Sequence, residues 1–111
     1  HLLQGQKGEQ LAAAYLQKEG FEILERNFRY KRAEIDLIAC KNNCTVFIEV
    51  KLRKNNRYGN PENFVNPKKE DLIRMAAEAY LEENPAPNIR FDVIAIAEKP
   101  SFQLDHFEDA F

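Results

Sequence analysis

Long apolar runs are missing from this 111-residue chain, so no stretch reads as a bilayer-spanning helix, and no secretory leader is recognisable at its start. A soluble, cytoplasmic protein with no membrane partner is the expectation. Cysteine is scarce. The only two, Cys40 and Cys44, flank an apparent tight turn and lie too close in sequence for a comfortable disulfide. No His or Cys pair lies nearby to complete a zinc set, so two free thiols in a reducing compartment are expected. Internal repeats, low-complexity segments and linkers are also lacking. The chain does not open on Met, and His1 reads as the remnant of a truncated start. The length fits one domain over 1–111, with a real but modest core.

The composition that remains is 44% hydrophobic and 31% charged, ordinary for a globular protein. A net charge of −2 argues against a polyanion binder until its distribution is read. Residues 26–74 hold twelve Lys/Arg against six Asp/Glu, a net of +6, while the rest holds four against twelve, a net of −8. A basic block between acidic flanks can present a local positive face, which matters more to nucleic acid than the total. A merely solvated charged surface would have the same composition.

Periodicity predicts a helix from about Gln4 to Glu19, with Glu9, Ala12, Ala13 and Leu16 on one stripe and Gly20 as its stop. Strands are predicted over Phe21–Tyr30, Glu34–Cys40 and Thr45–Leu52. Residues 53–66, with Gly59 and Pro61, read as a long loop. Pro67 suits the first turn of a second helix reaching Glu83, whose apolar stripe is Leu72, Ile73, Ala76, Ala77, Tyr80 and Leu81. Strands Ile89–Ala97 and Phe102–Phe107 follow. The order α-β-β-β-α-β-β predicts an α/β fold, a three-layer αβα sandwich around a mixed sheet.

The informative stretch runs from Glu34-Ile35-Asp36 to Glu49-Val50-Lys51. Taking Asn42-Asn43 as a two-residue hairpin turn pairs Ala39 with Val46, Leu37 with Ile48 and Ile35 with Val50, an apolar face. The opposite face then pairs Ile38 with Phe47, Asp36 with Glu49 and Glu34 with Lys51. Two carboxylates facing each other destabilise a sheet unless compensated. A hard divalent cation such as Mg²⁺ supplies that compensation. Lys51 leaves the same face as Glu49, two residues away, and would reach a water or phosphate oxygen there. The competing reading is a solvated charged face with Glu34–Lys51 as a surface pair.

Further candidates lie around this core. Glu9 points inward with Ala12 and Leu16, and either joins the site or merely serves the helix N-terminus. Lys69 begins the inward stripe of the second helix and would steady Glu49 or a scissile phosphate, with Lys68 as its rival. Asp92, in an apolar strand, reads as a structural hydrogen-bonding carboxylate. Arg26, Arg29, Lys31, Arg32, Arg53, Lys54 and Arg57 flank the site in sequence and suit a sugar–phosphate backbone, and Tyr58 suits an unpaired base.

These residues together resemble a known family. Gly8-Glu9-x-x-Ala12, Glu34-Ile35-Asp36-Leu37-Ile38-Ala39, Phe47-Ile48-Glu49-Val50-Lys51-x-Arg53 and Arg90-Phe91-Asp92-Val93 look like the YraN family. Its members are short bacterial proteins described as uncharacterised and predicted to be endonuclease-like. The resemblance covers almost the whole chain, including the ending Ala110-Phe111. It implies the PD-(D/E)XK, restriction-endonuclease-like fold, similar to archaeal Holliday-junction resolvases. It further implies that Asp36 and Glu49 hold Mg²⁺ or Mn²⁺ and that Lys51 orients the attacking water or stabilises developing charge. Glu9 matches the helical acid of the pattern and Lys69 its helical base. Ala33 departs from it, standing where many members have Gly before Glu-Ile-Asp.

The expected activity is metal-dependent endonuclease cleavage of a phosphodiester in nucleic acid, DNA rather than RNA, and the resemblance to resolvases implies branched DNA as the substrate. Asp36, Glu49, Lys51 and Glu9 form the expected catalytic set. Asp36, Glu49 and the Val50 carbonyl form the metal set. Arg29, Arg32, Arg53, Lys54, Arg57 and Lys69 are the expected nucleic-acid contacts. A homodimer would suit paired cuts. The rival readings are a non-catalytic nucleic-acid-binding module and a protein-interaction domain contacting partners through its acidic flanks.

Overall fold

The computed structural model describes residues 5–55, 57 and 64–111. Gln4, Tyr58, Gly59 and Pro61, which carried part of the sequence reading, lie outside the described residues. The elements are α1 (Gly5–Lys18), β1 (Glu22–Tyr30), β2 (Ala33–Lys41), β3 (Cys44–Asn55), α2 (Pro67–Glu83), β4 (Asn88–Lys99) and β5 (Gln103–Phe107). This is the predicted order.

The five strands form one sheet in sequence order, β1-β2-β3-β4-β5. Among the described strands only β3 and β4 run parallel, because α2 carries the chain back across the sheet between them. The sheet is therefore mixed. Its two faces bury separate apolar clusters. Ala12, Ala13 and Leu16 of α1 pack on Leu37, Ala39, Val46, Ile48, Ile94 and Ile96. On the other face, Ile73, Ala76, Ala77 and Tyr80 of α2 pack with Ile35, Ile38, Phe47 and Phe91. Helix, sheet and helix make the three-layer αβα sandwich. Phe47, fully buried and stacked on Phe91 with centroids 5.4 Å apart, contributes on the order of 2–3 kcal/mol by burial alone.

The Asn42-Asn43 turn forms as predicted, both residues at positive φ (53° and 64°), the conformation Asn tolerates. The predicted register holds from Lys41↔Cys44 to Leu37↔Ile48. It then stops. The expected pairs Ile35–Val50, Asp36–Glu49 and Glu34–Lys51 are not rungs of the ladder. Instead the Asp36 Oδ2 atom accepts the backbone N–H of Val50 at 2.8 Å, so a side chain replaces the strand's backbone acceptor and the two strands fork. Side-chain alternation also breaks here: Ala33 and Ile35 join the α2-side cluster while Leu37 and Ala39 join the α1-side one. Ile35 is thus not on the face predicted for it. On β1, Asn27 lies between the pairs Arg26↔Leu37 and Phe28↔Ile35 and takes φ of 52°, placing a second backbone irregularity beside Asp36.

Several element boundaries also differ by a residue or more, two of them in ways that matter. β3 runs to Asn55 because β4 pairs with it as far as Asn55↔Lys99, so Arg53 and Lys54 are strand residues rather than loop residues. The last strand begins at Gln103, leaving Phe102 outside it and exposed.

Candidate active site

Asp36 and Glu49 sit where β2 and β3 diverge. Glu49 is 3% exposed although it is a carboxylate in a sheet. Such a group needs compensating charge. Two ammonium groups supply it: Lys51 Nζ lies 3.4 Å from Glu49 Oε2, and Lys69 Nζ hydrogen-bonds the same oxygen. Lys51 arrives by strand geometry, two residues along β3 on the same side. Lys69 arrives from α2, whose start is set by Asn66. The Asn66 side chain caps the helix by accepting the N–H of Lys69 at 2.8 Å, and Pro67 follows at the first helical position.

The electrostatics record the crowding. Burial, then the negative charge of Glu49, pushes the Asp36 carboxyl up to about 7, against the opposing hydrogen bond from Val50. Glu9 adds to the rise, and Lys69 opposes it. Burial pulls Lys51 below its ordinary value, with Glu49 resisting. Lys69 feels the same burial, but its hydrogen bond and attraction to Glu49 carry it above the ordinary lysine value.

The donor set suits a hard divalent ion. Asp36 and Glu49 offer oxygen atoms only, and their mutual repulsion falls when a cation joins them. Among the described residues no three His, Cys, Asp or Glu side chains are gathered as a ready-made metal cage. Two carboxylates fit an ion that keeps several of its waters, as Mg²⁺ does.

Glu9 is held differently from expectation. Asn27 Nδ2 donates to Glu9 Oε1 at 2.7 Å and to Glu34 Oε2 at 3.0 Å, linking α1 to the β1–β2 edge beside Asp36. Gly8, just before Glu9, is buried against Leu52, and a Cβ there would lie 2.5 Å from Leu52 Cδ2. Bare backbone at Gly8 therefore lets the start of α1 approach β3. Glu34 pairs with Arg29 at 3.7 Å and not with Lys51.

The remaining cations gather by topology at the end of the sheet where β1 finishes, β2 begins and β3 finishes. Arg29 and Arg32 are exposed at or next to the β1–β2 turn, Lys54 is exposed near the end of β3, and Arg57 is exposed two residues past that strand. Arg53 is half-buried, its guanidinium 5.2 Å from the centroid of the Phe64 ring.

Residues 8–96 match the family described as Uncharacterised protein family UPF0102. The chain belongs to that family. A UPF0102 protein from Cytophaga hutchinsonii is 54% identical over 97 residues, covering 86% of each chain. One from Flavobacterium psychrophilum is 45% identical over 109 residues, covering 96% of this chain and 92% of its own. One from Chlorobium phaeobacteroides is 46% identical over 120 residues, covering all of this chain and 94% of its own.

The matched span of this UPF0102 chain contains Glu9, Asp36, Glu49, Lys51 and Lys69. It also contains Asp92, a structural carboxylate as expected. Asp92 is fully buried, takes two hydrogen bonds at 2.9 Å from Arg90, one at 2.9 Å from the Asp109 N–H, and pairs with His106 Nε2 at 2.8 Å. His106 Nδ1 in turn meets Tyr15 Oη of α1 at 2.9 Å. Sequence reasoning missed Asn27, Asn66, Tyr15 and His106. Only Asn66, directly before Pro67 at a helix start, carried a local signal.

Proposed function

We propose that this protein is a metal-dependent endonuclease of the PD-(D/E)XK type that hydrolyses phosphodiester bonds in DNA. One observation carries the reading: a buried Glu49 beside a half-buried Asp36 at forked strands, with the Lys51 ammonium against Glu49. A sheet that only had to fold would not keep two like charges at such a place.

Asp36, Glu49 and the carbonyl of Val50 would hold one or two Mg²⁺ or Mn²⁺ ions. In an extended strand the N–H and C=O of one residue leave by the same edge, and the Val50 N–H already meets Asp36. Such an ion, when bound, acidifies a water and offsets charge at the phosphate. The chain's own residues do the rest. Lys51 holds its ammonium beside Glu49, where it orients the attacking water or neutralises charge gathering on the phosphate oxygens. Glu9 shapes the field at Asp36 from α1. Arg29, Arg32, Lys54 and Arg57 offer the sugar–phosphate backbone exposed cations at the same end of the sheet. A DNA substrate with two symmetric strands would call for two copies of the chain.

The deciding experiment is cleavage of labelled four-way, flap, single-stranded and linear duplex DNA with Mg²⁺ or Mn²⁺. Wild type should cut at least one substrate only with metal, and Asp36→Asn and Lys51→Ala should not. A folded wild type that binds DNA in a salt-sensitive way but never cuts it would replace this reading with that of a binding module.

A further inference from the structure

Lys51 and Lys69 converge on one oxygen of one carboxylate, Glu49 Oε2. The Asp36 carboxyl also feels Lys69, but neither lysine has a hydrogen bond or ion pair to it, so Glu49 is the carboxylate that holds them both. The two lysines are not equivalent. Lys51 is tied to Glu49 by their spacing on β3. Lys69 reaches over from another element, and its side chain is the more exposed of the two, 42% against 20%.

Lys69 also stands where a cation is disfavoured. It lies in the first turn of α2, at the positive end of the helix dipole, and its own N–H is already committed to the Asn66 cap. Attraction to Glu49 holds its ammonium inward. If a divalent ion takes that carboxylate, the attraction is spent, and the ion, Lys51 and the helix dipole all repel the ammonium. The long, half-exposed side chain can swing outward, toward the exposed Lys68 and the exposed end of β3.

We infer that Lys69 is the resident counter-ion of Glu49, that a divalent cation displaces it, and that the released ammonium serves the phosphate of an incoming nucleic acid. This rests on the metal-site reading above. Lys69 is then a positioning residue in one state and a phosphate contact in the other. Metal and polyanion would strengthen each other's binding by the same factor.

The test needs no turnover. Mn²⁺ affinity is measured by calorimetry for wild type, Asp36→Asn, Lys69→Met and Lys68→Met. In parallel, wild type is reductively methylated with and without saturating Mn²⁺, and the modification of Lys69 is mapped by mass spectrometry. Displacement predicts about ten-fold tighter Mn²⁺ binding in Lys69→Met, with less than two-fold change in Lys68→Met, which removes an equal charge one residue away. It also predicts that Lys69 methylates faster when Mn²⁺ is bound. Equal shifts in the two lysine variants, or Lys69 reactivity unchanged or reduced by Mn²⁺, would overturn the exchange while leaving the metal site standing. Mn²⁺ binding absent from wild type, or unaffected by Asp36→Asn, would remove the metal site and this inference with it. The methylation experiment uses wild type, so it decides the matter even if Lys69→Met folds poorly.

Discussion

The carboxylate of Asp36 takes the backbone N–H of Val50 at 2.8 Å, so one side chain both ends the β2–β3 ladder and presents an acidic oxygen inside the fork. The same bond that shapes the backbone therefore positions the carboxyl on which the proposed chemistry rests.

Asp36 makes the metal-free fold sensitive to alkali. Its carboxyl sits at about 7 in the folded protein, raised from 3.8 by burial and by Glu49. Between those values the native state binds more protons than the unfolded one, so its stabilising contribution is present at pH 4 and lost as pH rises through 7. In chelator, Asp36→Asn should be more stable than wild type at pH 8 by roughly 2 kcal/mol, since Asn keeps an acceptor for Val50 without the charge. Urea melts across pH should show the gap closing toward pH 4. A constant gap would mean that Asp36 does not titrate as described.

Asp92 works with the opposite sign. Burial alone would raise its carboxyl, but hydrogen bonds from His106, Arg90 and the Asp109 N–H outweigh that and hold it below the ordinary carboxylate value. Its contribution is present above the unfolded value and fades as pH falls through the lower folded one. Asp92→Ala strands Arg90 and His106 without their buried partner and should cost about 3–5 kcal/mol in denaturant unfolding. Divalent metal should leave that loss unchanged, because Asp92 lies on the α1 side of the sheet, away from Lys69 on α2.

Lys51→Ala separates chemistry from folding. Cleavage should fall by about 10²–10⁴-fold, while Glu49 keeps Lys69 as a partner and the melting temperature moves little. A variant that cuts at the wild-type rate would exclude Lys51 from the reaction.

Asn27 combines a backbone role with a side-chain role, and two substitutions divide them. Its φ of 52° penalises other side chains, and its amide joins Glu9 to Glu34. Asn27→Ala should cost about 1–2 kcal/mol through the backbone alone. Asn27→Gly should recover most of that loss but not the bridge to Glu9. If cleavage by the Gly variant matches wild type, the Glu9 link is not used by the site.

Exposed cations should act through salt. Lys54 is exposed at the end of β3. Lys54→Ala should weaken DNA binding about equally for all sequences and lower the slope of log affinity against log salt by about one. An unchanged slope would place the DNA path elsewhere.

Much of this architecture was readable from the chain alone. Period-two alternation and the Asn42-Asn43 turn specified the hairpin register as far as Leu37↔Ile48, because one slipped residue would have turned the whole apolar set to the wrong face. The helix stripes Ala12–Leu16 and Ile73–Tyr80 forecast a layer on each side of the sheet. Asp36, Glu49 and Lys51 were identifiable as one cluster by spacing. Tertiary structure decided what pattern could not. The fork beyond Leu37 depends on a side chain competing with a backbone acceptor, which alternation does not encode, and it moved Ile35 to the other face. The helical stripe already offered Lys69 to Glu49, with Lys68 as its rival, and packing chose Lys69; the asparagine on Glu9 and the histidine on Asp92 come from other elements and meet these carboxylates only once the layers pack. Local spacing determines which charges share a strand, but only packing determines which buried charge is neutralised by which distant partner.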